Sequence, residues 1–245
     1  MRMQYPRLTT YHIDAPVSPL RIALLTDLHN GKVGNPDALF EQAKPDVICI
    51  SGDVYEAPPR HKYFAFSNVE AVLALCEKTA PTFYSRGNHD KTSCPEVDAL
   101  LSMYHITEVT DRAVSFGDVR IGGLGSAYYE EDTVPNMAFA KQFAAEEGYK
   151  ILICHHPEYY RRHLKELNIP LILSGHNHGG QWAIGKQGVY VPGQGLFPPH
   201  CAGVFDGRLV VSRGIYNNVV VPRIFCPTEL VLIELNHTVS PDGKE

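Results

Sequence analysis

Nowhere does this 245-residue chain contain an apolar run approaching the roughly 20 residues that a membrane-spanning helix needs. Its first residues, MRMQYPRLTTYHIDAP, also lack the apolar segment and small-residue cleavage site of a secretory signal. The expected location is therefore cytoplasmic. Runs of lysine or arginine are missing too, and the formal net charge is −5, which argues against a broad footprint for duplex nucleic acid. Cysteine is sparse: Cys49, Cys76, Cys94, Cys154, Cys201 and Cys226 form no CxxC pair. Two of them lie in apolar, strand-like runs, which suits buried free thiols in a reducing compartment better than a disulfide framework. No low-complexity tract, internal repeat or Gly/Ser/Pro-rich divider interrupts the sequence, so residues 1–245 are expected to form one domain.

What is present is the material of a globular core, with 44% hydrophobic and 20% charged residues. Short apolar runs predict buried strands at Leu20 to Thr26, Asp46 to Ser51, Thr82 to Arg86, Tyr149 to Cys154 and Ile169 to Leu173. Between them, Pro36 to Ala43 predicts a short helix with proline in its first turn. Val69, Val72, Leu73 and Cys76 recur at i, i+3, i+4 and i+7, the spacing of an amphipathic helix over Asn68 to Lys78. Further helices are expected at Pro95 to Met103, at Pro135 to Glu146 and along Tyr160, Leu164 and Leu167. A hairpin is expected over Arg112 to Leu124, turning at Gly117-Asp118. Short strands at Gln181 to Ile184, Val189 to Val191, Arg208 to Ser212 and Glu229 to Leu235 suggest an antiparallel second part following βαβ units.

The apolar strands end abruptly in metal-ligand residue types. These are Asp27 and His29, Asp53, Asn88 and His89, His155, and then His176 and His178. Singly each has an ordinary reading: an aspartate can cap a helix, and a histidine can simply be hydrogen-bonded. Together they point to one site, because the carboxyl ends of strands in an open α/β sheet face one crevice. Carboxylate, amide and imidazole donors suit Mn²⁺, Fe or Zn²⁺ and disfavour an all-oxygen Ca²⁺ site.

In this order, D-x-H, G-D, G-N-H-D, H and G-H-x-H resemble the signature of the calcineurin-like metallophosphoesterases. The tail GHNHGGQ, from Gly175 to Gln181, and Ser212-Arg213-Gly214 are similar to the bacterial branch that holds envelope-associated phosphoesterases and a UDP-diacylglucosamine pyrophosphatase. The resemblance implies an α/β four-layer sandwich, two mixed sheets flanked by helices, and two divalent metal ions. By resemblance, Asp27, His29 and His178 hold one ion, Asn88, His155 and His176 the other, and Asp53 bridges both, at about the 3.5–4 Å separation of two-metal sites. The implied reaction is hydrolysis of a phosphomonoester or phosphodiester by a hydroxide on the dinuclear centre, which needs no Ser or Cys nucleophile. His89 would face the scissile phosphate, stabilising its charge or protonating the leaving oxygen. Asp90 is expected either to orient that imidazole or to hold a turn.

Of the adjacent pair His155-His156, only one ring should point into the site from a strand end. His155 is taken as the ligand, and His156 as a rim residue with a possible substrate role. Arg213 resembles a residue beside the cleft, where a guanidinium would suit phosphate. The rim is expected in Tyr55 to Asn68, with Arg60, His61 and Lys62, and in Ser126 to Asn136. The apolar tip Leu196-Phe197 is expected to pack against the domain, with an exposed, membrane-facing tip as the alternative. The implied partner is a phosphorylated small molecule or lipid, with peripheral membrane contact but no transmembrane segment. Two alternatives stay open: pyrophosphate hydrolysis of a lipid-linked or nucleotide-sugar substrate, and a non-catalytic binding module on the same fold.

Overall fold

A computed structural model of the chain describes residues 3–56, 66–90, 95–126, 134–185, 187–191, 194–217 and 222–238. Its strands run β1 (Arg7–Ala15), β2 (Leu20–Leu25), β3 (Val47–Ser51), β4 (Thr82–Ser85), β5 (Thr107–Glu108), β6 (Arg112–Phe116), β7 (Val119–Leu124), β8 (Tyr149–Cys154) and β9 (Leu171–Ser174). They continue as β10 (Ala183–Ile184), β11 (Gln187–Gly188), β12 (Tyr190–Val191), β13 (Gly195–Leu196), β14 (Gly203–Phe205), β15 (Leu209–Val211) and β16 (Glu229–His237). The α-helices are α1 (Pro36–Ala43), α2 (Phe66–Thr79), α3 (Pro95–Met103) and α4 (Met137–Ala145).

Two six-stranded mixed sheets form the framework, ordered β1-β16-β2-β3-β4-β5 and β14-β15-β9-β8-β7-β6. Side chains alternate across each strand, so both faces of the central strands must be buried, and their sequences are apolar throughout. Ile22 and Leu24 of β2 enter the layer between the sheets, where Val47, Ile151, Ile153, Leu171 and Val210 meet them. Ala23 and Leu25 point the other way, against Phe40 of α1, Val69, Val72 and Leu73 of α2, and Val97 and Leu101 of α3. On the far side, Leu152, Ile172 and Val211 pack on Phe143 of α4 and on Tyr160 and Leu164. The result is the helix, sheet, sheet, helix sandwich that the resemblance implied.

Four details differ from the sequence reading. The second sheet is not antiparallel at heart: β7, β8, β9 and β15 run parallel, and only its edge strands β6 and β14 are antiparallel. The last strand, β16, does not join it. β16 returns to the first sheet, antiparallel to β2 and parallel to β1. β1 itself escaped notice because its outer residues are exposed and polar, as on an edge strand with little apolar signal. The helix expected along Tyr160, Leu164 and Leu167 is a single wide π turn, Tyr160–Leu164.

The five cysteines of the described residues are buried and free. Arg60, His61 and Lys62 lie outside the described residues, as does most of the expected second rim. Leu196 and Phe197 are exposed rather than packed inside. No described helix is long and apolar enough to cross a membrane.

Candidate metal centre

The parallel strands of both sheets end on one edge, and their C-terminal loops meet there. Thr26 follows β2 and donates its hydroxyl to Ser51 O at the end of β3, 2.6 Å away. Ser51 Oγ in turn reaches Leu173 O on β9 in the other sheet, at 3.1 Å. The loops then turn so sharply that Asp27, His29, Asp53, His176 and His178 all take positive φ, between 45° and 67°. That conformation is uncommon outside glycine and costs of order 1–3 kcal/mol per residue. Such strain concentrated on chemistry-bearing side chains marks a site.

The glycines of the motifs permit this crowding. A Cβ on Gly87 would lie 2.2 Å from Asp53 Oδ1, and one on Gly52 would lie 2.5 Å from Gly87 Cα. The G-D and G-N-H loops therefore lie backbone against backbone, which only residues without side chains allow.

Three groups of donors gather within this edge: Asp27, His29 and His178; His29, Asp53 and His89; and Asp53, His155 and His176, each with ligand atoms inside 4.8 Å of one another. Asp53 joins them, since its Oδ2 lies 3.6 Å from His29 Nε2 and 3.1 Å from His155 Nε2. Asp27 Oδ1 stands 3.5 Å from His178 Nε2. Asn88 is buried in the loop after β4, beside His89. The backbone secures the carboxylates as well: His89 N donates to Asp53 Oδ1 at 2.9 Å, and His176 N to Asp27 Oδ2 at 3.2 Å.

Burial disfavours charge on all these groups, and the neighbours decide the outcome. For His29, burial is outweighed by Asp27, Glu56 and Asp53, which raise its pKa to about 10. Asp53 does the same for His155, raising it to about 9. His176 and His178 lack comparable support, and burial takes each down to about 3, leaving neutral rings. Burial would raise Asp27 and Asp53, yet the histidines beside them hold both carboxyls below their usual range.

The donor set fits divalent cations. His29 Nε2 and His155 Nε2 are buried without a hydrogen-bond partner although each faces Asp53, and a cation among them would satisfy carboxylate and imidazoles alike. The outward nitrogens are correctly held: His155 Nδ1 lies 2.7 Å from Ser51 O, an arrangement that directs Nε2 inward as a ligand.

Sequence reasoning missed two residues. Glu56, buried three positions after Asp53, sets one oxygen 3.3 Å from His29 Nδ1 and the other 3.1 Å from His89 Nδ1. Its spacing from Asp53 in G-D-V-Y-E was the available signal. Arg223 reaches His178 Nδ1 at 3.0 Å, with Arg213 O and Tyr216 O as its other acceptors. With Nδ1 against Arg223, His178 turns Nε2 towards Asp27 Oδ1. No local pattern marked Arg223.

Of the two roles open to Asp90 the loop-holding one fits the contacts, and the role expected of Arg213 changes. Asp90 does not face His89: its carboxylate accepts from Val54 N, Tyr55 N and Gly87 N, tying the two loops together, and Glu56 supplies the carboxylate at His89 instead. Arg213 is occupied by Glu229, at 2.7 Å from its guanidinium and 2.9 Å from its backbone N–H, so it braces the loop after β15 against β16. His156 lies 4.1 Å from the His176 ring and 2.9 Å from Glu158, at the flank of the centre.

Known proteins place this geometry in a family. The model of the calcineurin-like phosphoesterases matches residues 20–180, which include every candidate ligand from Asp27 to His178. The chain is 28% identical to an uncharacterized metallophosphoesterase of Helicobacter pylori, over 71% of this chain and 48% of that protein. It is 26% identical to phosphodiesterase YaeI of Escherichia coli, over 89% and 83% of the two chains. With the uncharacterized metallophosphoesterase Cj0846 of Campylobacter jejuni the identity is 26%, over 95% and 64%. The chain thus spans about half the length of the Helicobacter relatives. On the family match and the two-sheet fold that carries it, this chain belongs to the calcineurin-like phosphoesterase family.

Proposed function

We propose that the chain hydrolyses a phosphomonoester or phosphodiester at a centre of two divalent ions, Mn²⁺, Fe or Zn²⁺. Asp27, His29 and His178 would hold one ion, Asn88, His155 and His176 the other, and Asp53 would bridge them. The observation that carries this reading is Asp53 Oδ2, which sits between His29 Nε2 and His155 Nε2 at 3.6 and 3.1 Å and so belongs to both groups of donors. When bound, such ions polarise the phosphoryl group and bring the pKa of a coordinated water towards about 7.

The chain's own residues supply the rest. His89 packs edge-on to His29, ring centroids 5.0 Å apart, and so stands over the centre. Its Nδ1 faces Glu56 at 3.1 Å, and the ring would meet a phosphate oxygen as hydrogen-bond donor to developing charge or as acid to the leaving oxygen. Glu56 fixes His89 and His29 together, coupling the proton donor to a ligand. His156 flanks His176 and narrows the approach on that side.

Metal content measured alongside hydrolysis of p-nitrophenyl phosphate and its bis-ester tests the reading. The expected result is about two ions per chain, with activity lost in Asp53→Asn and His89→Ala and metal lost only in Asp53→Asn. Protein that takes up no metal and turns over neither ester after reconstitution with Mn²⁺, Fe²⁺ or Zn²⁺ would point to a binding module on this fold.

A further inference from the structure

Exposed apolar side chains are concentrated in one place. Of the twelve large hydrophobic residues exposed among the described residues, seven come from two short stretches, 182–197 and 224–225. Ile184 and Leu196 are each 70% exposed, and Phe225 is 85% exposed. Backbone pairing makes the stretches one unit: Ala183 N donates to Ile224 O, Ile224 N to Gln181 O, and Phe197 N to Val189 O. The Trp182 indole anchors to Pro222 O at 3.2 Å. Tyr190 pairs directly with Leu196 across β12 and β13, so the two side chains leave the same face. Monomeric proteins rarely leave such a cluster without an occupant.

The unit adjoins the metal centre. Trp182 lies four residues after His178, and Ile224 follows Arg223, whose guanidinium touches that histidine. Its charge is positive on balance. From Gln181 to Glu229 the sequence has Lys186, Arg208, Arg213 and Arg223 against Asp206 and Glu229, the last paired with Arg213 and Asp206 lying 3.7 Å from Lys165. Beside it lies the exposed basic turn with Arg161, Arg162 and Lys165, where Glu166 is the exposed acid. That turn is joined to the unit by Gln194 on Glu158, at 3.3 Å, and by Tyr160 against His200.

Tryptophan, tyrosine, phenylalanine and leucine side chains flanked by arginine and lysine suit the head-group boundary of an anionic bilayer. A second copy suits it less, since a two-fold dimer through this face would set the basic turns against one another. We propose that this face docks on an anionic membrane surface and brings the centre to a phosphoester in the head-group layer. The docking stands on the surface alone, whereas the lipid phosphoester as substrate rests on the phosphoesterase reading above.

Co-sedimentation with vesicles of phosphatidylcholine, with and without phosphatidylglycerol, tests the docking. Wild type should partition onto the anionic vesicles and be released by salt. Leu196→Ser/Phe225→Ser should bind at least about tenfold more weakly, while hydrolysing the soluble bis-ester at the wild-type rate, which also shows that it is folded. Wild type that stays in the supernatant, equal binding by the variant, or a concentration-dependent dimer that the variant abolishes would each overturn the docking. Vesicle binding without hydrolysis of any ester would keep the docking and remove the lipid phosphoester as substrate.

Discussion

At the scale of single residues, the carboxylate of Glu56 carries the most testable weight, because its two oxygens face Nδ1 of His29 and of His89 at 3.3 and 3.1 Å. A glutamine keeps the size and loses the charge. Glu56→Gln should lower kcat about 10–100-fold and weaken metal uptake to a similar degree, the usual cost of losing a carboxylate behind a ligating histidine. Steady-state kinetics and a metal titration read the two effects separately, and an unchanged kcat would leave Glu56 a packing residue. Arg213 makes a contrasting case, since its guanidinium pairs with the buried Glu229. Arg213→Ala leaves that buried carboxylate without its cation, held only by Thr9 Oγ1 and the backbone N–H of residue 213, and should cost about 3 kcal/mol in urea unfolding, with KM for p-nitrophenyl phosphate unchanged. A raised KM with unaltered stability would restore it as a phosphate-binding residue.

At the scale of elements, each strand delivers its polar residues only because the loop after it can pass close to its neighbour. Gly87 is one such case, since a Cβ there would run into Asp53 Oδ1. Gly87→Ala should push Asp53 out of place and empty the centre while leaving the sheets intact: metal content and activity fall, and far-UV circular dichroism does not. Retention of full metal content would mean that the loops can separate. These loops also show what was legible beforehand. Strand ends and ligand types were readable in sequence, since central strands buried on both faces must be continuous apolar runs and break where polar chemistry begins. The orientation of Asp90 was not, because a carboxylate after His89 can serve either the ring or the backbone amides of Val54, Tyr55 and Gly87, and only their positions decide.

For the molecule as a whole, stability against acid depends on pairs that tie separate elements. Arg86, after β4, reaches Glu108 on β5 and Asp98 on α3 at 2.7 and 2.6 Å. Burial raises the Glu108 pKa, but Arg86 outweighs it and holds that carboxyl below the usual glutamate range. A depressed folded pKa contributes stability above the ordinary value near 4.3 and loses it as the pH falls through the folded one. Glu108→Gln should therefore be less stable than wild type at about pH 7, by about 1 kcal/mol for this partly buried pair. The gap in urea midpoints should narrow as the pH falls below the ordinary glutamate value; a gap independent of pH would assign the loss to packing.

The βαβ units and the residue types at their strand ends followed from local pattern, because apolar run length and ligand chemistry are properties of neighbouring residues, whereas the two-sheet sandwich was implied by the family resemblance. The return of β16 to the first sheet, the pairing of β1 beside it, the meeting of Glu56 with His29 and His89, and the contact of Arg223 with His178 depend on segments far apart in the chain. Hydrophobic burial fixed those meetings only once both sheets had packed, and no local periodicity records them.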